Sequence, residues 1–321
     1  MWIATIAEMS TSPGPLPSWR DGPILRRLRE FVADVTDETS SSFVPVDERV
    51  AVFDNDGTLW SERPLVQGAF VAQRLQQLVV DDPTLAGSQP WTAIAEGDTD
   101  WIDQAVARHY QGDSTDLKAF AAAALVGFSD ITVEEFQSMA ATYLASAVHP
   151  TLHRPFTSLG YAPMVELLGF LEAHGFTTYI VSGGGSDFIR PVTLAMYGIA
   201  PERVIGSSVG LRYAHDGANV RILRTDAIGV LNDGPEKVLQ IWDRIGRRPI
   251  LAGGNANGDV PMLAFTADQD RETLCVLIDH DDDQREFAYR SGAEEAVATA
   301  REMGWATVSM KDDWARVFTD R

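Results

Sequence analysis

Several things are scarce in this chain. It holds one cysteine in 321 residues, Cys275, so no intramolecular disulfide can form. That cysteine lies inside the apolar run 274–278 and reads as a core thiol rather than a nucleophile. Positive charge is also short: 26 Lys and Arg stand against 46 Asp and Glu, a formal charge of −20. A nucleic-acid partner selects clustered Lys and Arg to neutralise phosphates, so this balance speaks against one. It suits a chain kept apart from its copies by self-repulsion and able to hold a cation locally. No apolar run approaches the roughly 18–20 residues that span a bilayer, so no membrane partner is expected. The first residues lack a basic segment, and Glu8 cuts their apolar stretch short, which is not the pattern of a secretory signal. A cytoplasmic protein is the expectation. There is no internal repeat. The one biased stretch, 9–22, is rich in Ser, Pro and Gly, so 1–22 reads as a flexible leader. Nothing here bears on oligomeric state.

What is present is enough for a substantial core in one large or two modest domains. Apolar spacing predicts an amphipathic helix over 24–35. A short apolar strand at about 49–54 follows. Residues 61–155 carry no strong strand pattern but hold helical stretches at 65–80, 101–109, 117–126 and 133–145. Beyond them come a helix at 164–174, a strand at 176–181, a helix at 187–197, a strand near 204–208 and a hairpin that turns at Asp216-Gly217. The remainder alternates: helix 237–245, strand 249–253, helix 262–267, strand 273–278, helix 294–303, strand 306–309. Such alternation predicts an α/β fold, a doubly wound parallel sheet. The helical stretch 61–155 would be an insert in a core made of 23–60 and 156–321.

The chemistry concentrates at Val52-Phe53-Asp54-Asn55-Asp56-Gly57-Thr58-Leu59-Trp60. An apolar strand here ends in two carboxylates two residues apart. Buried carboxylates are costly unless paired, hydrogen-bonded or metal-bound, so the pair suggests a nucleophile and a hard cation. Three more segments follow in order: Ser182-Gly183-Gly184-Gly185 after a strand, Lys237 at the start of a helix, and Gly254-Asn255-Ala256-Asn257-Gly258-Asp259 after a strand. The Gly triplet is not a P-loop, because no Gly-Lys-Ser/Thr follows.

Taken together, the four segments resemble the motifs of the haloacid dehalogenase (HAD) superfamily, in its phosphoserine-phosphatase-like branch. The resemblance covers roughly 45–60 and 160–310, and it makes 61–155 a helical cap inserted after the first motif. It implies a Rossmann-like core and a Mg²⁺-dependent phosphatase acting on a small phosphorylated metabolite. The catalytic residues would be Asp54 as nucleophile, Asp56 as general acid and base, Ser182 on a phosphoryl oxygen, and Lys237 to neutralise charge. The metal would be held by Asp54, the Asp56 carbonyl and Asn255, with Asp259 behind them. Asn255 departs from the family pattern, where Asp is commoner, and removes one negative charge from the site. Gly183 and Gly184 would offer backbone N–H groups to the phosphate. Glu62 and Arg63, just after the motif, and Arg154, near the return from the cap, would meet the rest of the substrate. Arg154 reads equally well as a surface ion pair. The run around His280 (Asp279, Asp281, Asp282, Asp283) reads as a solvated acidic loop. Asp56 argues against dehalogenation, which has no alcohol leaving group to protonate. Phosphotransfer, or a catalytically weak binding protein on the same fold, stays open. Prolines and glycine near 60–64 and 155–163 mark hinges for a cap that moves as a lid.

Overall fold

The computed structural model describes residues 16–98, 100–110 and 112–319. Among the described residues eight strands form in chain order: β1 (Val50–Phe53), β2 (Thr177–Gly185), β3 (Val204–Ser207), β4 (Val209–Asp216), β5 (Asn219–Ile228), β6 (Leu251–Gly254), β7 (Leu274–Asp279) and β8 (Ala306–Ser309). Six of them make one sheet in the order β3-β2-β1-β6-β7-β8, parallel at every pairing. The expected doubly wound α/β core is therefore present.

All four residues of β1 are buried, as a continuous apolar run must be when both faces of a parallel strand are covered. Alternate side chains serve opposite faces. Ala51 and Phe53 join an apolar layer with the helices Pro23–Thr36, Ala162–Ala173 and Ser186–Tyr197. Val50 and Val52 join the other layer, with Pro235–Ile245, Val260–Ala267 and Glu294–Met303. From β1 the chain builds outward to β2 and β3, then crosses back to β6 on the other side. The crevice at the carboxyl ends of β1 and β6 is thus the topological switch point, where open α/β sheets take their ligands.

The stretch 61–155 is helical, as read: Val66–Asp81, Trp91–Glu96, Asp100–Tyr110, Thr115–Gly127 and Val133–Ser146. The last begins at a reciprocal capping box between Thr132 and Glu135, which satisfies two otherwise unpaired backbone donors. The short helix Trp91–Glu96 carried no signal in the spacing. A stack of rings joins this layer to the core. Phe70 packs against Phe128, Phe136 and Tyr143 and against Phe188 of the core, and Phe128 packs against Phe136, with ring centroids 5.0–5.7 Å apart.

The hairpin β4–β5 does not lie on the core sheet. Its backbone pairs with the loop before helix Val133–Ser146: Asp130 N–H donates to the Arg224 carbonyl and Arg224 N–H to the Ile131 carbonyl, both at 2.9 Å. Arg224 also bonds Asp187 at 2.9 Å, with its guanidinium 3.7 Å over the Phe136 ring. The hairpin and helix Val133–Ser146 are thus joined, though they come from separate stretches of chain.

Residues 1–15 of the expected leader lie outside the described residues. Residues 16–22 correct that reading. Leu16 and Trp19 are buried, Trp19 Nε1 donates to the Pro163 carbonyl at 2.8 Å, and Ser18 Oγ donates to Glu166 at 2.6 Å. A composition rich in Ser, Pro and Gly conceals two apolar anchors.

Candidate active site

Asp54 is the first residue past β1, and its N–H still donates to the Gly253 carbonyl of β6 at 2.9 Å. The chain then turns sharply: the Asn55 carbonyl accepts from the N–H groups of Thr58, Leu59 and Trp60 at 3.2, 2.8 and 3.2 Å. Gly57, at φ +74°, makes this turn possible, since other residues rarely adopt that backbone. A Cβ there would also lie 2.2 Å from Asn255 Nδ2 and 2.9 Å from Glu62 Cδ. The turn carries Asp56 to the side of Asp54, where its carboxylate accepts from Trp60 Nε1 at 2.8 Å and from Ser182 Oγ at 3.4 Å.

Lys237 lies in the first turn of Pro235–Ile245, buried with Ile241 one turn on. A cation there opposes the positive end of the helix dipole and loses its water. It is held because Nζ donates to Asp54 at 2.7 Å and to Asp259 at 2.6 Å. Asp259 in turn accepts from the N–H groups of Asn255 and Ala256 at 2.9 and 3.0 Å. Burial disfavours the Lys237 charge, but Asp259 and Asp54 outweigh it and hold the ammonium above its ordinary value.

Ser182 is fully buried in β2, with Gly184 N–H donating to its Oγ at 2.9 Å. Asn232, missed in the sequence, ties the ends of two strands by donating to the Ser182 and Ile205 carbonyls at 3.1 and 2.9 Å. Gln67, also missed, reaches from helix Val66–Asp81 to accept from Gly185 N–H at 2.8 Å. A Cβ at Gly184 would lie 3.2 Å from Gln67 Oε1, 3.2 Å from Ser182 Oγ and 3.3 Å from Asp56 Oδ2. Three polar groups thus converge on the space over Gly184.

Glu62 is in the same cluster. Its Oε1 accepts from Asn255 Nδ2 at 3.2 Å and from Tyr289 Oη at 2.5 Å. Asn255 Oδ1 accepts from Thr58 Oγ1 at 3.0 Å. Arg63 turns aside: its guanidinium lies 3.8 Å over the Tyr289 ring and donates to Ser291. Arg154 is not part of the site, because it donates to the Thr319 carbonyl at 2.6 Å and lies against Phe318. His280 corrects the picture of a solvated loop. It is buried, its Nε2 donates to the Gly57 carbonyl at 2.8 Å, and its ring stacks on Tyr289 at 4.3 Å.

Four carboxylates, Asp54, Asp56, Glu62 and Asp259, therefore lie close together, and among the described residues the Lys237 ammonium bonds two of them, Asp54 and Asp259. Burial pushes Asp54 well above the ordinary carboxylate value, with Asp259 and Asp56 adding to the effect and Lys237 opposing it. Burial likewise raises Asp56 and Glu62. The surplus of buried negative charge, on hard oxygen donors, fits a divalent cation of the magnesium type. Asp54, the Asp56 carbonyl and Asn255 Oδ1 are the groups that would hold it.

A family model for haloacid dehalogenase-like hydrolases matches residues 51–264, and the chain belongs to this family. No curated protein matches it. Among solved structures, a conserved protein of unknown function from Anaerococcus prevotii is similar over 89% of this chain and 91% of its own, at 15% identity and a TM-score of 0.51. A protein of unknown function from Bordetella pertussis is similar over 81% of this chain and 98% of its own, at 17% identity and a TM-score of 0.51. A phosphoserine phosphohydrolase-like protein from Francisella tularensis is similar over 81% and 94%, at 17% identity and a TM-score of 0.45. At these identities the first two share the fold.

Proposed function

We propose that the protein is a Mg²⁺-dependent phosphatase of small phosphomonoesters that works through an aspartyl-phosphate on Asp54, in the phosphoserine-phosphatase-like branch of its family. The observation that carries this is the pairing of Asp54 and Asp56 in one buried pocket, with the first on the Lys237 ammonium and the second held by Trp60 Nε1 and Ser182 Oγ beside the space over Gly184. One carboxylate is oriented to attack, and the other is placed to carry a proton to and from the reacting oxygens.

In the first step an Asp54 carboxylate oxygen attacks phosphorus and the P–O bond to the leaving alcohol breaks. Asp56 passes its proton to that oxygen as charge develops. Ser182 Oγ–H and backbone N–H groups at the end of β2 receive the phosphoryl oxygens, and Lys237 balances the charge between attacking and transferred groups. In the second step Asp56, now a carboxylate, takes a proton from water as the water attacks phosphorus. The Asp54–phosphorus bond breaks, and inorganic phosphate leaves with both aspartates restored. A magnesium ion, when bound, would screen the phosphate charge and so make attack by an anion possible. Helices 61–155 and the hairpin cover this pocket as a cap, and Gln67 places a cap side chain beside the phosphoryl seat.

Phosphate release from a panel of phosphorylated metabolites, with and without magnesium, tests the reading. The native protein should turn over only with the metal. Folded Asp54→Asn should give none, and steady release by that variant would remove Asp54 as nucleophile.

A further inference from the structure

We infer that Glu62 supplies the negative charge that Asn255 withholds from the cation site, so that the two residues act as one divided carboxylate: Asn255 offers the oxygen, Glu62 the charge. The inference rests on the cation-dependent reading above and reassigns Glu62 away from the substrate.

A neutral amide is a weaker partner for a divalent cation than a carboxylate in the same place. Here the amide is polarised. Asn255 Nδ2 donates to Glu62 Oε1 at 3.2 Å, which draws electron density toward Oδ1, and carboxylates behind a ligand raise its basicity in this way. The same bond sets which way the amide faces. The carboxylate claims the NH₂, so the oxygen turns to the Thr58 side, where Thr58 Oγ1 donates to it at 3.0 Å.

Glu62 is also fixed in place. Its Oε1 takes the Tyr289 hydroxyl, the Tyr289 ring stacks on His280, and His280 Nε2 returns to the Gly57 carbonyl at 2.8 Å. This closes a circuit around the turn that presents the Asp56 carbonyl. Glu62 Cδ and Asn255 Nδ2 both stand over the Gly57 α-carbon, one residue beyond that carbonyl. No ammonium or guanidinium bonds Glu62 among the described residues; Arg63 lies over the far ring of Tyr289, bonds Ser291, and acts on Glu62 only through space, as does His280. The carboxylate has no bonded counter-ion of its own, and a cation beside Asp54 would favour its charged form against the cost of burial.

The test is calorimetric titration of the full-length protein with Mn²⁺, read apart from turnover. Glu62→Gln should weaken binding roughly 10- to 100-fold, the usual effect of removing a carboxylate behind a metal ligand. Adding Asn255→Asp to Glu62→Gln should return affinity to within a few-fold of the native protein, because it moves the charge rather than rebuilding the Tyr289 contact. A merely structural role for Glu62 would not be rescued this way. Melting without metal checks that both variants fold. If Glu62→Gln binds Mn²⁺ as the native protein does and only its KM for phosphoester rises, Glu62 is a substrate contact and the inference falls while the phosphatase reading stands. Failure of the double variant to regain affinity also overturns it. If the native protein itself takes no Mn²⁺, the cation-dependent reading falls together with the inference.

Discussion

Gly184→Ala separates folding from phosphate recognition. Gly184 is not at positive φ, so its backbone accepts alanine without strain. The new methyl would meet Gln67 Oε1 and Ser182 Oγ at 3.2 Å and Asp56 Oδ2 at 3.3 Å, which is tight but short of a clash. Gly→Ala at a compatible site gains about 0.4–1 kcal/mol by restricting the unfolded chain. Crowding of three polar side chains should offset that gain, leaving the melting temperature nearly unchanged. Activity should respond differently, because the methyl would fill the space that the proposed reading gives to a phosphoryl oxygen. A hydrogen bond to a charged group contributes about 1.5–3 kcal/mol, and each 1.36 kcal/mol is tenfold, so kcat/KM should fall roughly 10- to 100-fold. Calorimetric melting and release of phosphate from an aryl phosphate give both numbers on one preparation. Unchanged kcat/KM in a well-folded variant would show that the oxygens converging over Gly184 do not mark the phosphoryl seat.

Trp60→Phe removes the N–H that donates to Asp56 Oδ1 at 2.8 Å. That bond favours the carboxylate and lowers the Asp56 pKa against the larger effect of burial, so its loss should raise the pKa further. Asp56 must be protonated to serve the leaving alcohol, so the alkaline limb of the kcat/KM profile for an alkyl phosphate should move to higher pH; a limb that stays or moves down refutes the role. Arg224→Ala should cost up to about 3 kcal/mol by breaking a buried pair, less whatever Arg190, 3.1 Å from Asp187, retains. Hydrogen exchange should then speed up together in 129–132 and 219–228, whereas loosening of the hairpin alone would show that the two stretches are independent.

The sheet, its alternation with helices and the four motif segments were legible because each is local: an apolar run, a turn, a helix start. Asp54, Asp56, Ser182, Lys237, Asn255 and Asp259 converge because every motif ends a strand or opens a helix at the same edge. What escaped was set by distance along the chain. Nothing near Gln67 marks it as a partner of Gly185, and nothing near Tyr289 points to Glu62. Trp60 is buried, and no local pattern shows that its N–H is spent on Asp56. His280 was hidden by the acidic residues around it, since a charge count cannot tell which neighbours face water. Arg154 had the right charge near the right junction, and the carbonyl of Thr319 captured it.

The central place of β1 also bears on how the chain matures. Val52, made early, pairs on one side with Tyr179 and on the other with Ala252. During synthesis the strand that carries Asp54 must wait for one neighbour, then far longer for the second. Topologies dominated by such distant pairings fold slowly and expose unpaired edges meanwhile. A fragment ending after Ile245 would possess Asp54, Asp56, Ser182 and Lys237, yet β1 would be an open edge. Such a nascent chain would be prone to stick to its copies, and it is the stage at which a chaperone would matter most.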